Sequence, residues 1–102
     1  MENEAIMQTI MGIIMHSGNA KSNAMEAIKA AKAGEFKIAD DNIKKAEADF
    51  VEAHHAQTDL LTKEAQGEKT EVSLLMVHAQ DHLMTSMTFT DLAKEIIALH
   101  KK

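Results

Sequence analysis

The chain contains no proline, and of its four glycines only Gly34 and Gly67 stand where a helical pattern stops. That punctuation limits the possible folds more than any other feature. With no pyrrolidine ring to break a helix interior, segments rich in Ala, Met, Leu, Ile, Lys and Glu stay helical. They end where a glycine takes the left-handed conformation. Gly34 follows Lys32-Ala33 and precedes Glu35-Phe36; Gly67 follows Gln66 and precedes Glu68-Lys69-Thr70. Thr70 is placed to cap a third helix, with Glu71 in its first turn. The sequence therefore predicts helices at about 3–33, 35–66 and 70–101, and no strand. Its 102 residues make one domain, 1–102. The expected fold class is all-α, an antiparallel three-helix bundle of helices roughly 45 Å long.

The three helices differ in character. Helix 1 opens with an uncharged run from Ala5 to Ala20 and then becomes amphipathic, with a kink expected at Ser17-Gly18-Asn19. Helix 2 repeats small and apolar residues at heptad-like spacing: Phe36, Ala39, Ile43, Ala46, Phe50, Ala53, Gln57, Leu60 and Glu64. Its remaining faces are densely charged, so it is expected on the outside. Helix 3 carries Val72 to Thr90, where the one formal charge is Asp81. A surface helix shows one apolar stripe, whereas this one is apolar nearly all the way round. That predicts burial on several sides, more than a lone three-helix bundle provides. A homo-oligomer with helix 3 at its centre is implied.

Composition excludes several functions. The net charge is −5, with no run of basic residues, so nucleic acid and anionic membrane are poor partners. There is no cysteine, which excludes disulfide and thiol chemistry and fits a reducing compartment. The Met1–Ala5 leader carries Glu2 and Glu4 instead of the positive charge of a signal peptide. Asp81, His78, Gln80 and His82 at the middle of the longest apolar stretch oppose membrane insertion. The expected location is the cytoplasm.

His78, Asp81 and His82 lie at i, i+3 and i+4, within about a 100° sector of one helix. Counting outward from the glycine turns brings Gln57 level with Gln80, and puts His16, His54 and His55 in the same layer. Three chemistries compete for this layer. The first is metal binding. Zinc proteases place a glutamate after the first histidine of His-x-x-x-His as the general base; Ala79 stands there, so a zinc hydrolase is disfavoured. Asp81 could instead share a cation with its own symmetry copies. The second is a nucleophilic histidine. A neutral imidazole accepts a phosphoryl group on one nitrogen while the other is held by a hydrogen bond. Gln57, Gln80, His82 and Thr85 are candidate donors to the phosphoryl oxygens. No phosphate loop is present, so the phosphate would arrive on another protein. The third is a set of satisfied core histidines, the default for His16, His54, His55 and His100.

The string Val77-His78-Ala79-Gln80-Asp81-His82-Leu83-Met84-Thr85 resembles the signature of the enzyme IIA component of the lactose/cellobiose class of the bacterial sugar phosphotransferase system. Gly18-Asn19-Ala20-Lys21-Ser22 and Glu52-Ala53-His54-His55-Ala56-Gln57-Thr58 are similar to further segments of that family. The resemblance implies a trimer with helix 3 near the axis. It implies that His78 takes a phosphoryl group from the phosphocarrier HPr on its tele nitrogen and passes it to a cysteine of the cognate enzyme IIB. It implies that Asp81 lies at the trimer centre, where lactose-type members hold a divalent metal such as magnesium, one per trimer. His82 and Gln57 would then be auxiliary donors. Ala79 and Ser86 lean towards the cellobiose/N,N'-diacetylchitobiose branch over the lactose branch. The competing expectation is a helical trimeric metal-binding or scaffold protein with no phosphoryl transfer.

Overall fold

A computed structural model describes residues 2–102, with side chains from Glu4 onward. Met1, the first residue of the acidic leader, lies outside the described residues. The chain forms α1 (Glu2–Lys32), α2 (Phe36–Ala65) and α3 (Leu74–His100), and no strand among the described residues. It is a rod of 50 × 20 × 20 Å.

Both glycine turns form as expected. Gly34 has φ 78° and Gly67 φ 93°, where a side chain would cost roughly 1–2 kcal/mol. At the first turn the Glu35 amide donates to the Ala30 carbonyl at 2.9 Å and the Gly34 amide to Ala31 at 3.0 Å. At the second, Glu68 donates to Lys63 at 2.9 Å and Gly67 to Glu64 at 3.0 Å. This paired pattern satisfies the last carbonyls of each helix and reverses the chain.

The start of α3 differs from expectation. It begins at Leu74, and its cap is Ser73, not Thr70. Ser73 is extended (φ −119°, ψ 165°), and its hydroxyl accepts from the Met76 amide at 3.1 Å. Serine is the better cap, and starting there keeps the β-branched Val72 out of the first turn. Thr70 instead lines a cleft at the end of the bundle with Ile6 and Leu60.

The core falls into two clusters. One joins Ala24, Ala27, Ala30 and Ala31 of α1 to Ala39 and Ile43 of α2 and to Ala93 and Ile97 of α3. The other joins Ile10 and Ile13 to Ala53, Leu60, Met76, Ala79 and Leu83. Between them lies a layer of small buried residues: Ser17, Ala20, Ala46, Ser86 and Thr90. The hydroxyls of Ser17, Ser86 and Thr90 have no protein partner there. The seam foreseen for α2 is the one buried: Ala39, Ile43, Ala46, Ala53 and Leu60 point inward, although Glu64 at its end is exposed.

α1 is the spine on which both other helices pack, while α2 and α3 touch sparsely. Charged side chains bridge that gap. Lys94 binds Glu47, and Lys101 binds Asp40 at 3.3 Å. The hydrogen bond to Glu47 holds the Lys94 ammonium above the usual lysine range, with partial desolvation opposing it and the charges of Glu47 and Asp91 adding to it. Helix α1 continues through Ser17-Gly18-Asn19 without a break. Within one chain α3 is not buried on several sides. It buries one stripe, and Leu74, Val77, Met84, Leu92 and Leu99 are exposed. No helix among the described residues is long and apolar enough to cross a membrane.

Replacing Ser73 with Ala should lower the unfolding free energy by about 1 kcal/mol, while Thr70→Ala stays within about 0.5 kcal/mol. Urea titrations of both variants test this; the reverse order would put the helix start back at Thr70.

Candidate functional site

The site is built on the middle turns of α3. Core contacts through Met76, Ala79, Leu83 and Ser86 fix the rotation of the helix. They turn His78 outward and leave His82 half-buried. The two imidazoles stack, with centroids 5.4 Å apart and planes inclined by 21°. The spacing of four residues on a helix puts one ring above the other. Beneath His82 passes Gly18 of α1, where an added Cβ would stand 3.6 Å from His82 Nε2. The second imidazole is thus wedged between the α1 backbone and the first. One nitrogen of a nucleophilic His78 was expected to be held by a hydrogen bond. None of the hydrogen bonds among the described residues involves its ring, and the stack with His82 orients it instead.

The expected layer is real in height but not in direction. Gln57 meets Gln80 as the turn counting implied, its amide donating to Gln80 Oε1 at 2.6 Å. Gln80 Nε2 in turn faces Met76 Sδ at 4.0 Å. Gln80 stands two positions after His78, so they point about 160° apart around α3. Gln57 is therefore no donor to a phosphoryl group on His78 of its own chain; it ties α2 to α3 on the far side. Thr85 is also occupied elsewhere, since its hydroxyl donates to the Asp81 carbonyl at 2.9 Å and reaches that of His82 at 3.3 Å. His54 and His55 are exposed on α2 and join nothing in the site.

His16 turns towards α2. Its Nδ1 lies 2.9 Å from Asp49 Oδ1, and Asn23 donates to Asp49 Oδ2 at 3.5 Å. Sequence reasoning treated His16 as a core residue and missed this cluster. The signal was available in the turn counting: Asp49 is 15 residues after Gly34, between Asn23 and His16 at 11 and 18 before it.

Asp81 is exposed on α3, about 60° around from His78. It belongs to a stripe at alternating spacings of three and four: Leu74, Val77, Asp81, Met84 and Thr88, all exposed. Such a stripe is the seam of a coiled coil. No group of three His, Cys, Asp or Glu among the described residues could hold a metal. A single carboxylate falls well short of the six or more oxygens a divalent cation takes, so one chain alone does not make the expected magnesium site.

The chain matches the family model of the lactose/cellobiose-specific IIA subunit of the phosphotransferase system over residues 8–101, and it belongs to that family. It is a phosphotransferase component of a sugar transport system. It is 54% identical over 100 residues to the lichenan-specific phosphotransferase enzyme IIA component of Bacillus subtilis, covering 98% of this chain and 91% of that one. The cellobiose-specific enzyme IIA of Bacillus anthracis superposes with a TM-score of 0.92 at 50% identity, covering 94% of this chain and 88% of that one. A IIA chain solved in complex with HPr, from the N,N'-diacetylchitobiose branch of the Escherichia coli phosphotransferase system, gives 0.82 at 43% identity, with 94% and 93% covered.

The Gln57–Gln80 bond makes a quantitative prediction. A double-mutant cycle with Gln57→Ala and Gln80→Ala should give a coupling of about 1 kcal/mol in chemical denaturation; additive effects would show that the two amides do not depend on each other.

Proposed function

We propose that His78 accepts a phosphoryl group on Nε2 from phospho-HPr and passes it to a cysteine of the cognate enzyme IIB. The uptake served is that of a β-linked disaccharide, cellobiose or N,N'-diacetylchitobiose before lactose, and the protein works in the cytoplasm. The observation that carries this is the exposed His78 ring, stacked on His82 and bonded to no other described side chain. A carrier histidine must be reachable by two proteins in turn. It must also keep a nitrogen lone pair free. The E. coli relative solved with HPr supports HPr as the donor.

In the transfer, the lone pair of His78 Nε2 forms the new N–P bond as the N–P bond to the donor imidazole breaks. That electron pair returns to the donor ring, and no net proton or electron is exchanged. The onward step replaces the N–P bond by an S–P bond to the acceptor thiolate, and the pair returns to His78. Both transfers spread negative charge over three oxygens, so positioned donors lower the barrier. His82 is such a group, one turn on, with its ring centroid 5.4 Å from that of His78.

The working form is a homotrimer with α3 near its axis. The exposed stripe of Leu74, Val77, Asp81, Met84 and Thr88 supports this, because it is a coiled-coil seam with nothing against it in one chain. Three Asp81 carboxylates meeting there would repel unless protonated or bridged, and a shared divalent cation of the magnesium type would supply the bridge.

Two outcomes test these roles. His78→Gln should abolish the gain of one acid-labile phosphoryl group seen by intact mass after incubation with phosphoenolpyruvate, enzyme I and HPr, with helicity unchanged; phosphorylation retained in the variant would remove His78 from the role. Asp81→Leu should raise the thermal midpoint of the trimer by several degrees and remove any divalent metal found by elemental analysis of the purified protein. A lower midpoint would show that the carboxylate holds the assembly together.

A further inference from the structure

An open groove runs between α1 and α3 beside the stacked imidazoles. Gly18, Lys21, Met25 and Lys29 line it from α1, and His82 and Phe89 from α3. Two cations therefore share a surface with His82. They are not equivalent. The Lys29 ammonium is 3.6 Å from Glu26. Lys21 is exposed, and among the described residues it has no carboxylate within the 4 Å of an ion pair.

Direction singles out Lys21 further. Helical side chains lean towards the N-terminus of their own helix. α1 and α3 run the same way, so Lys21 leans back towards the level of Gly18 and the His82 ring that faces it. His78 lies one turn further in the same direction. An extended lysine stem spans about one helical turn, and the ammonium carries three rotatable donors on a flexible chain.

We propose that Lys21 binds the phosphoryl oxygens during transfer to and from His78. The group carries close to two negative charges, which an ammonium with no carboxylate partner can offset. Asp81, exposed on the neighbouring face, works against it. A mobile ammonium can follow the phosphoryl group as its bond shifts from donor imidazole to His78 and then to the thiolate of the next carrier, and it takes no part in the bond exchange itself. This role rests on His78 as the phosphoryl acceptor.

The test is single-turnover transfer from phospho-HPr by rapid quench, over a range of HPr concentrations, for the wild type, Lys21→Gln and Lys21→Arg. Lys21→Gln should slow the rate at saturating HPr by roughly tenfold or more, with the half-saturating HPr concentration unchanged. Lys21→Arg should recover most of the rate, because the charge and donors remain. A Lys21→Gln rate within twofold of wild type overturns the proposal. So does a defect confined to half-saturation, which would make Lys21 a docking residue, or a loss that arginine does not relieve. A wild-type chain that takes no phosphoryl group, with HPr itself phosphorylated, overturns the reading of His78 and this role with it.

Discussion

Register is the constraint on which the rest of this structure depends. Two glycines at positive φ, each closing a helix with the same pair of backbone bonds, set how far each helix is offset against the next. Everything that crosses between helices follows from that offset. Gln57 reaches Gln80, Asp49 falls between His16 and Asn23, and His82 comes to rest over Gly18. A slip of one residue would rotate each partner by about 100° and break all three contacts together. The site is therefore specified some 15 residues from the turns that fix it, through helices stiff enough to carry the register over that length.

The core supports the same arrangement unevenly. Alanines on all three helices let the end nearest Gly34 pack closely, while larger Ile, Leu and Met side chains fill the end nearest Gly67. Where the two meet, Ser17, Ser86 and Thr90 are buried with unpaired hydroxyls. Ser86 lies one turn beyond His82 on α3, and Ser17 adjoins Gly18 on α1. Two of the three unpaired buried hydroxyls thus lie within a turn of the His82–Gly18 approach. Small side chains there let α1 and α3 approach, and that approach brings the His82 ring onto the α1 backbone.

Much of this was legible in the chain itself. Helix number, both turns, the α2 seam and the level of Gln57 with Gln80 follow from punctuation and spacing, which depend on local backbone chemistry. What failed were directions and choices between neighbours. Antiparallel counting gives height along a helix but not the face a side chain takes, so Gln57 was expected as a donor although its amide bonds Gln80, and the candidate donor Thr85 bonds carbonyls of its own helix. The choice of Ser73 over Thr70 as cap turned on a competition between two adequate residues. The apolar girth of α3 suggested burial on several sides, yet one chain covers only one of them. The uncovered remainder is the exposed Leu74–Thr88 stripe.

The placement of that stripe beside the histidines has a physical consequence. Around α3, the core stripe, the His78 edge and the Leu74–Thr88 seam occupy three different sectors, with Asp81 about 60° from His78. A histidine in the core could not be reached, and one within the seam would be covered on assembly. At the border it stays open to a partner on one side, while a neighbouring subunit packed along the seam would wall it on the other. In the proposed trimer such a wall would exclude water from one flank of a phosphoryl group on His78, which would strengthen the donors that face it. The same border position puts His78 close to the Asp81 carboxylate, whose charge opposes an incoming phosphoryl dianion. In the proposed trimer, neutralising Asp81 at the seam, by a proton or a shared cation, would serve transfer as well as assembly, because the charge that would repel a neighbouring subunit is the one that would repel a phosphoryl group on His78.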